Sequence, residues 1–159
     1  MTILGLAARP LIAGMFIYGG IDSFRHPSSK EALARKVVGD FPEQLGTGLY
    51  AAQVVRLNGA VQVGAGVALA SGVAPRIAAL ALAGSLVPTT LAGHRFWEER
   101  DAAKRHAQTI QFLKNLSMLG GLLLAAADTG GRPSIPWRAR RAVGTTVVRA
   151  HDALTSAAS

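Results

Sequence analysis

The sequence predicts an all-α protein, namely a bundle of four transmembrane helices with short interfacial helices and a basic amphipathic C-terminal tail. Half of the 159 residues are hydrophobic and only 16% are charged. Four windows of 17 to 19 residues contain just two of the 26 charged residues, Arg9 and Lys114, where an even spread would place about 12. At roughly 1.5 Å per residue, each window reaches about 26 to 28 Å, close to the roughly 30 Å hydrocarbon core of a bilayer.

The four windows define the predicted spans, residues 3–21, 57–74, 77–93 and 110–127. They form one membrane domain over residues 1–131, followed by the basic tail over residues 132–159. Twelve of the 18 glycines lie inside these spans, where each would cost about 1 kcal/mol in a soluble helix. Small residues instead let helices approach closely in lipid. We therefore expect close packing along one face of the second span, formed by Ala60, Gly64, Ala68 and Gly72.

The first span has two interpretations, a retained membrane helix or a cleaved secretory signal peptide. Its start, Met1 to Leu4, has no basic residue of the kind that opens a signal peptide. The pair Arg9-Pro10 also interrupts the apolar run before Leu11. Both observations favour a retained helix.

The connection over residues 22–56 is too long for a simple hairpin loop. Ser28 and Glu31 have the spacing of a capping box, which predicts an amphipathic helix from about Ser29 to Val38. This helix either lies on the membrane surface or covers the end of the bundle, and the sequence favours neither.

The remaining connections predict an antiparallel hairpin and an edge helix. The turn over residues 71–75 joins the second and third spans directly. Pro88 frees the carbonyl of Gly84 and is expected to bend the third span. Residues 94–109, which carry charges of both signs, are expected to continue as helix at the membrane edge.

Of the net charge of +8, Arg9 and Lys114 account for +2 inside the spans and +6 lies outside, concentrated in the tail, where five arginines precede the first acid, Asp152. Nucleic acid and anionic lipid both suit such a segment, but a chain that crosses the membrane already holds the tail close to phospholipid. We therefore predict no nucleic-acid partner. The predicted lipid-contacting residues are Arg132, Trp137, Arg138, Arg140 and Arg141.

Lysine and arginine counts on the two sides are nearly equal, seven against eight, so they do not decide the topology. The density of arginine just after the last span predicts cytoplasmic termini.

Connectivity alone brings one set of helix ends to the same membrane face. The end of the first span carries Asp22, and the other ends gather polar residues that suit a ligand head group. The candidate ligand- or quinone-binding residues are Arg56, Asn58, Gln62, His94, Trp97, Lys114 and Asn115.

Several of these candidates have a second, purely structural interpretation. Lys114 either pairs with Asp22 or extends to the interface, and Arg9 has the same second option at the opposite face. Asn58 and Gln62, one turn apart, suit interhelical hydrogen bonds better than ligand contact.

His94 has three interpretations: a metal ligand, a group that handles protons or hydrogen-bonds a quinone ring, and part of an interfacial belt with Trp97. The other histidines, His26, His106 and His151, have no metal-ligand spacing with it, so we predict no metal. The sequence contains no cysteine, which excludes disulfide and thiolate chemistry by this chain. Catalytic residues are not identified.

Four stretches carry a resemblance to a known family. They are Arg9 to Gly14 with Phe16 and Gly19-Gly20, Arg56 to Gln62, Leu86 to Thr90 with Gly93 to Trp97, and Phe112 to Leu116 with Gly120 to Leu122. As a set they resemble the DoxX family of small four-helix bacterial membrane proteins, of the actinobacterial and mycobacterial type. The resemblance implies association with a thiosulfate:quinone oxidoreductase, or with a membrane complex that links superoxide dismutase and a sulfurtransferase in oxidative-stress defence. It supplies no catalytic residues.

Two functions follow as hypotheses. The first is a membrane anchor or accessory subunit of a redox or oxidative-stress complex in the bacterial plasma membrane. The alternative is a quinone- or lipid-binding oxidoreductase subunit, with a quinone or bound lipid at the polar helix ends. Enzymatic activity and homo-oligomerisation both stay open.

Overall fold

The computed structural model describes residues 3–39 and 50–128. Within these two ranges the chain is helical and contains no strand. The elements are α1 (Ile3–Arg25), α2 (Ser28–Val38), α3 (Ala51–Ser71), α4 (Pro75–Gly93), a 3₁₀ turn (Phe96–Glu98) and α5 (Ala102–Ala127). The described residues belong to a single compact unit. The predicted all-α class is therefore confirmed for this part of the chain.

Three stretches of the described chain are long and apolar enough to cross a membrane: Ala51–Ser71, Pro75–Glu98 and Ala102–Ala127. They contain almost all of the second, third and fourth predicted spans. Helix α1 is 23 residues long and contains Pro10. Its crossing of the membrane, and hence a total of four spans, stays a prediction.

The four long helices α1, α3, α4 and α5 pack in chain order around a small apolar core. Helix α1 packs mainly against α3, α3 against α4, and α4 against α5. The fully buried leucines are Leu69, Leu82 and Leu122, one from each of the last three helices, and Phe16 joins them from α1. This core is apolar and small-residue-rich, as expected where helices pack inside a membrane.

Helices α1 and α3 approach each other closely where they cross. A Cβ atom added to Gly59 would lie 2.7 Å from the carbonyl oxygen of Gly20, and one added to Gly66 would lie 2.7 Å from Cγ1 of Ile17. In contrast, a Cβ on Gly64 would meet nothing within 4 Å. The close contacts of α3 with α1 therefore lie at Gly59 and Gly66 rather than at Gly64 of the predicted face, although Ala68 of that face packs against the core.

The ends of two helices differ from the sequence predictions. Pro27 occupies the N-cap position of α2, without a side-chain cap, so the predicted capping box does not form. Residues 94–101 leave the helical path, and α5 begins only after Asp101, whose carboxylate accepts the Lys104 backbone N–H at 2.8 Å. Helix α4 continues through Pro88 to Gly93.

Helix α2 and residues 94–105 together form a charged platform at one end of the bundle. Helix α2 packs against α3 and α4. Arg95 Nη2 donates a 2.9 Å hydrogen bond to the carbonyl oxygen of Lys36, and Lys36 Nζ lies 3.9 Å from Glu98 Oε2. These contacts join two segments that are far apart in the sequence into one surface.

Candidate ligand-binding site

Two amide–hydroxyl pairs join α3 to α4. Asn58 Nδ2 donates to Thr89 Oγ1 at 3.2 Å, and Gln62 Nε2 donates to Ser85 Oγ at 2.9 Å. The Gln62–Ser85 pair is buried. The two hydrogen bonds lie one helical turn apart because Asn58 and Gln62 are separated by four residues. These are the interhelical hydrogen bonds that the sequence favoured over ligand contact for Asn58 and Gln62.

A third pair joins α5 to the same helix. Asn115 Nδ2 donates to Thr90 Oγ1 at 3.0 Å, and both residues are buried. The Thr90 hydroxyl in turn donates to the Leu86 carbonyl oxygen at 2.8 Å. Helix α4 therefore supplies hydroxyl acceptors to both of its neighbours. Pairs of this kind contribute about 0.6 kcal/mol each in a membrane, up to about 1.7.

A cleft of about 170 Å³ lies between α4 and α5, beside the Asn115–Thr90 pair. Its lining consists of Leu86, Val87, Thr90, Leu91, Phe112, Asn115, Leu116 and Leu119. Six of these eight residues are apolar. The two polar ones are bonded to each other, so the surface that the cleft offers to a ligand is almost entirely hydrocarbon.

The cleft has a buried base and an exposed rim. Leu86 lies at the base with Thr90 and Asn115, all less than a tenth exposed. Val87 and Leu116 on the rim are 44% and 52% exposed. Since both helices are long and apolar enough to cross a membrane, the cleft opens sideways toward the lipid chains rather than toward water.

An aromatic cluster adjoins one end of the cleft through Phe112. The Phe112 ring makes edge contacts with Phe96 and Trp97, with centroid distances of 5.4 and 6.1 Å. Phe96 and Trp97 are 5.1 Å apart. Trp97 is half-exposed at the end of the bundle, a position typical of aromatic residues at the membrane interface.

His94 pairs with α5 rather than with Trp97 or Glu98. Its Nδ1 atom lies 2.8 Å from Gln108 Oε1. Among the described residues, no three His, Asp or Glu side chains lie close enough to hold a metal ion.

The two cations predicted for the site lie apart from it. Lys114 is exposed and donates to Gln111 on its own helix. It does not pair with Asp22, whose carboxylate is bound by Lys30 Nζ at 2.5 Å and by His26 at 3.2 Å. Arg56 is exposed, and no described side chain bonds to it. The structure thus brings Asn115 to the cleft and connects Trp97 to it through Phe112, but it does not gather Arg56 and Lys114 into one pocket.

The candidate residues chosen from the sequence did not include several residues at this site, among them Ser85, Gln108 and Phe112. Ser85 had a visible signal, since it is a hydroxyl residue inside an apolar span. Phe112 and Gln108 had none, because which face of α5 meets α4 depends on packing. The predicted lipid-contacting residues Arg132, Trp137, Arg138, Arg140 and Arg141 lie outside the described residues.

Arg9, which with Lys114 is one of the two charged residues inside the predicted spans, lies at the opposite end of the bundle. Arg9 Nη2 lies 3.2 Å from Asp128 Oδ2, and the Arg9 side chain is only 10% exposed. Arg76 Nε donates to the Ala126 carbonyl oxygen at 2.8 Å. Arg9 therefore ties α1 to the end of α5 and does not extend freely to the interface.

An all-helical bundle with three helices of membrane-crossing length and composition, and with polar pairs inside it, defines a helical membrane protein. A comparison with protein families matches the DoxX family model to residues 4–95. This is more than half of the chain, and the chain belongs to the DoxX family. The match covers α1 to α4 and ends before α5. No curated protein and no solved structure matches the chain.

Proposed function

We propose that this protein is a membrane anchor or accessory subunit of a redox or oxidative-stress complex. The observation that carries the proposal is the charged platform, which the Arg95–Lys36 hydrogen bond joins into one surface. Several of its side chains are exposed and have no described partner, including the guanidinium of Arg100. Such charges steer a soluble partner to its docking site. The partners implied by the family resemblance are a superoxide dismutase and a sulfurtransferase.

Helix α1 completes the membrane anchor in this proposal. Its 23 residues are sufficient to cross a bilayer. Its outward side carries large apolar residues, with Leu11 78% exposed and Tyr18 76% exposed. Lipid contact explains this exposure, since a soluble domain rarely leaves a large apolar surface uncovered. We place the bundle in the bacterial plasma membrane, with cytoplasmic termini.

Co-purification tests the anchor proposal directly. The chain is co-expressed with the superoxide dismutase and the sulfurtransferase of the same genome and is purified in mild detergent. We expect one of them to co-purify in a fixed ratio and to dissociate at high salt. Recovery of the chain without a stoichiometric partner argues against the proposal.

A charge-reversal pair separates specific docking from general attraction. Arg100→Glu on the platform is expected to weaken partner binding about tenfold, since reversing a docking charge replaces attraction by repulsion. Arg25→Glu is the matched control, because Arg25 is also an exposed arginine without a described partner but lies at the end of α1. Equal losses in the two variants would show general attraction to this end of the bundle and would contradict docking on the platform.

The second proposed function is a quinone- or lipid-binding subunit, and the cleft between α4 and α5 favours it. The cleft is apolar and open toward the bilayer, as a site for a membrane-soluble ligand must be. Solvent extraction of the purified protein tests it, with bound quinone and bound lipid counted per chain. Protein that retains neither contradicts this function.

A further inference from the structure

We propose that the charged platform binds an acidic surface of a soluble protein, and that Arg100 and Lys104 are the residues that this surface contacts. This inference rests on the proposed anchor function, in which the platform docks a soluble partner. It adds the charge of the partner's docking face and the part of the platform that this face covers.

The platform carries more cations than acids, and its acids are engaged within the chain. Seven lysines and arginines and four acids lie in α2 and residues 94–105. Glu98 Oε1 accepts a 2.7 Å hydrogen bond from Arg95 Nη1. Glu31 Oε1 accepts one of 3.0 Å from Arg35 Nη2. Because these two acids already have cationic partners, they offer little negative charge to a second protein.

The two remaining acids of the platform hold the loop before α5. Glu99 Oε1 accepts the backbone N–H groups of Arg100 and Asp101 at 3.1 and 3.2 Å. Asp101 Oδ1 accepts the Lys104 backbone N–H at 2.8 Å. Arg105 Nε donates to the Glu99 carbonyl oxygen at 2.9 Å. Both carboxylates therefore fix the backbone from which the side chains of Arg100 and Lys104 extend.

The side chains of Arg100 and Lys104 are exposed, and neither has a partner among the described residues. Two cations held on a fixed loop, with the acids of the platform engaged elsewhere, match an acidic surface by charge complementarity. A second copy of the chain does not fit this surface, because it presents the same excess of cations.

The distance from the apolar part of α5 favours a soluble protein over lipid head groups. The predicted fourth span begins at Ile110, six residues after Lys104. At roughly 1.5 Å per residue this separation is about 9 Å, whereas the head-group region is about 5 to 8 Å thick on each side. Helical side chains lean toward the N-terminus, which here is the direction away from the span. Lys104, and Arg100 before it, therefore extend into water.

Neutralising one cation and one acid of the platform tests the charge of the docking face. The full chain is held in phosphatidylcholine nanodiscs, the probes are the superoxide dismutase and the sulfurtransferase of the same genome, and biolayer interferometry gives the association rates. Lys104→Gln is expected to slow association about threefold at low salt, because an exposed charge acts mainly on this rate. Glu98→Gln is expected to leave the rate equal or to raise it. A slower rate in Glu98→Gln, or an unchanged rate in Lys104→Gln, overturns the inference.

Carbodiimide cross-linking tests the position of the docking face. The reagent joins a lysine amine to a carboxyl group in direct contact with it and is released as a urea. We expect an amide bond between Lys104 and an aspartate or glutamate of the probe, identified by mass spectrometry of the digested complex. Lys104→Arg is the matched control, because it keeps the positive charge but has no amine, so binding should persist without the cross-link. A wild-type complex that forms without a Lys104 cross-link overturns this contact.

The same measurements separate the inference from the proposed function. A probe that binds the wild type with no dependence on Lys104 contradicts the inference while the anchor function stands. If neither probe binds the wild type, both are wrong. Loss of probe binding in phosphatidylglycerol nanodiscs would show that lipid head groups occupy the two cations, and this result also overturns the inference. Thermal midpoints equal to that of the wild type show that the variants are folded.

Discussion

Asn115 on α5 donates a 3.0 Å hydrogen bond to the hydroxyl of Thr90 on α4, at the base of the cleft between these helices. The amide therefore stabilises the contact between two helices, and because its partner is the other polar residue of the cleft, the cleft surface is almost entirely apolar. The same residue shapes the packing of the bundle and the selectivity of its candidate ligand site.

A double-mutant cycle on this pair measures its contribution. Asn115→Ala and Thr90→Val are each expected to lower stability, and their combined effect is expected to be smaller than the sum. The coupling should be about 0.6 kcal/mol, and at most about 1.7, because the unfolded helix finds other partners within the membrane. Unfolding by a denaturing detergent gives the four stabilities required. Additive effects would show that the hydrogen bond contributes nothing measurable.

Gly59 and Gly64 on α3 differ sharply in their surroundings, and their alanine variants should differ accordingly. Gly59→Ala forces a methyl group against the Gly20 carbonyl oxygen, and we expect a loss of about 1 to 3 kcal/mol, typical of overpacking. Gly64→Ala meets no atom within 4 Å and should cause no loss. Thermal midpoints in one detergent compare the two. A larger loss for Gly64→Ala would contradict the packing of α1 on α3.

Asp22, just beyond the predicted first span, gives a pH-dependent prediction. Hydrogen bonds from Lys30 and then His26 lower the pKa of its carboxyl group from the usual value of 3.8. Its stabilising contribution is therefore present above pH 3.8 and is lost as the pH falls through the lowered pKa. Titration of the carboxyl carbon by NMR should give a midpoint below 3.8, and Lys30→Met should raise it. An unmoved midpoint would show that Lys30 does not bind Asp22 in solution.

The absence of cysteine from the sequence makes the topology directly measurable. Glu99→Cys places a single thiol on the charged platform, and Val73→Cys places one in the turn between α3 and α4 at the other end. With cytoplasmic termini, a membrane-impermeant maleimide should label Glu99→Cys in intact cells and label Val73→Cys only after permeabilisation. The reverse pattern would place the termini outside.

The sequence predicted the helices well because their cause is local. The removal of charge from long apolar windows follows from the cost of placing an ion in hydrocarbon, which depends on composition alone. The helix over α2 was predicted within one residue of its start, Ser28. Its capping box was not correct, since Pro27 occupies the cap position that the spacing assigned to serine.

The positions of the polar side chains could not be predicted from the local sequence alone. The predicted candidates include Asn58, Gln62 and Asn115, which form hydrogen bonds between helices. They also include Lys114 and Arg56, which are exposed. Helix rotation decides this point, because a residue one position along a helix turns about 100° away from its neighbour. Lys114 therefore faces outward while Asn115 faces α4.

The sequence by itself determined that the described chain is helical, that it is apolar enough for a membrane, and that most of its excess charge lies outside the apolar windows. Only the tertiary structure decided which faces meet, as Gly59 and Gly64 show: both are glycines of one apolar helix, yet only Gly59 touches α1. The cleft was decided in the same way. The type of each residue determines its free energy of transfer between water and lipid. Close packing instead depends on the shape complementarity of two surfaces that are distant in the sequence.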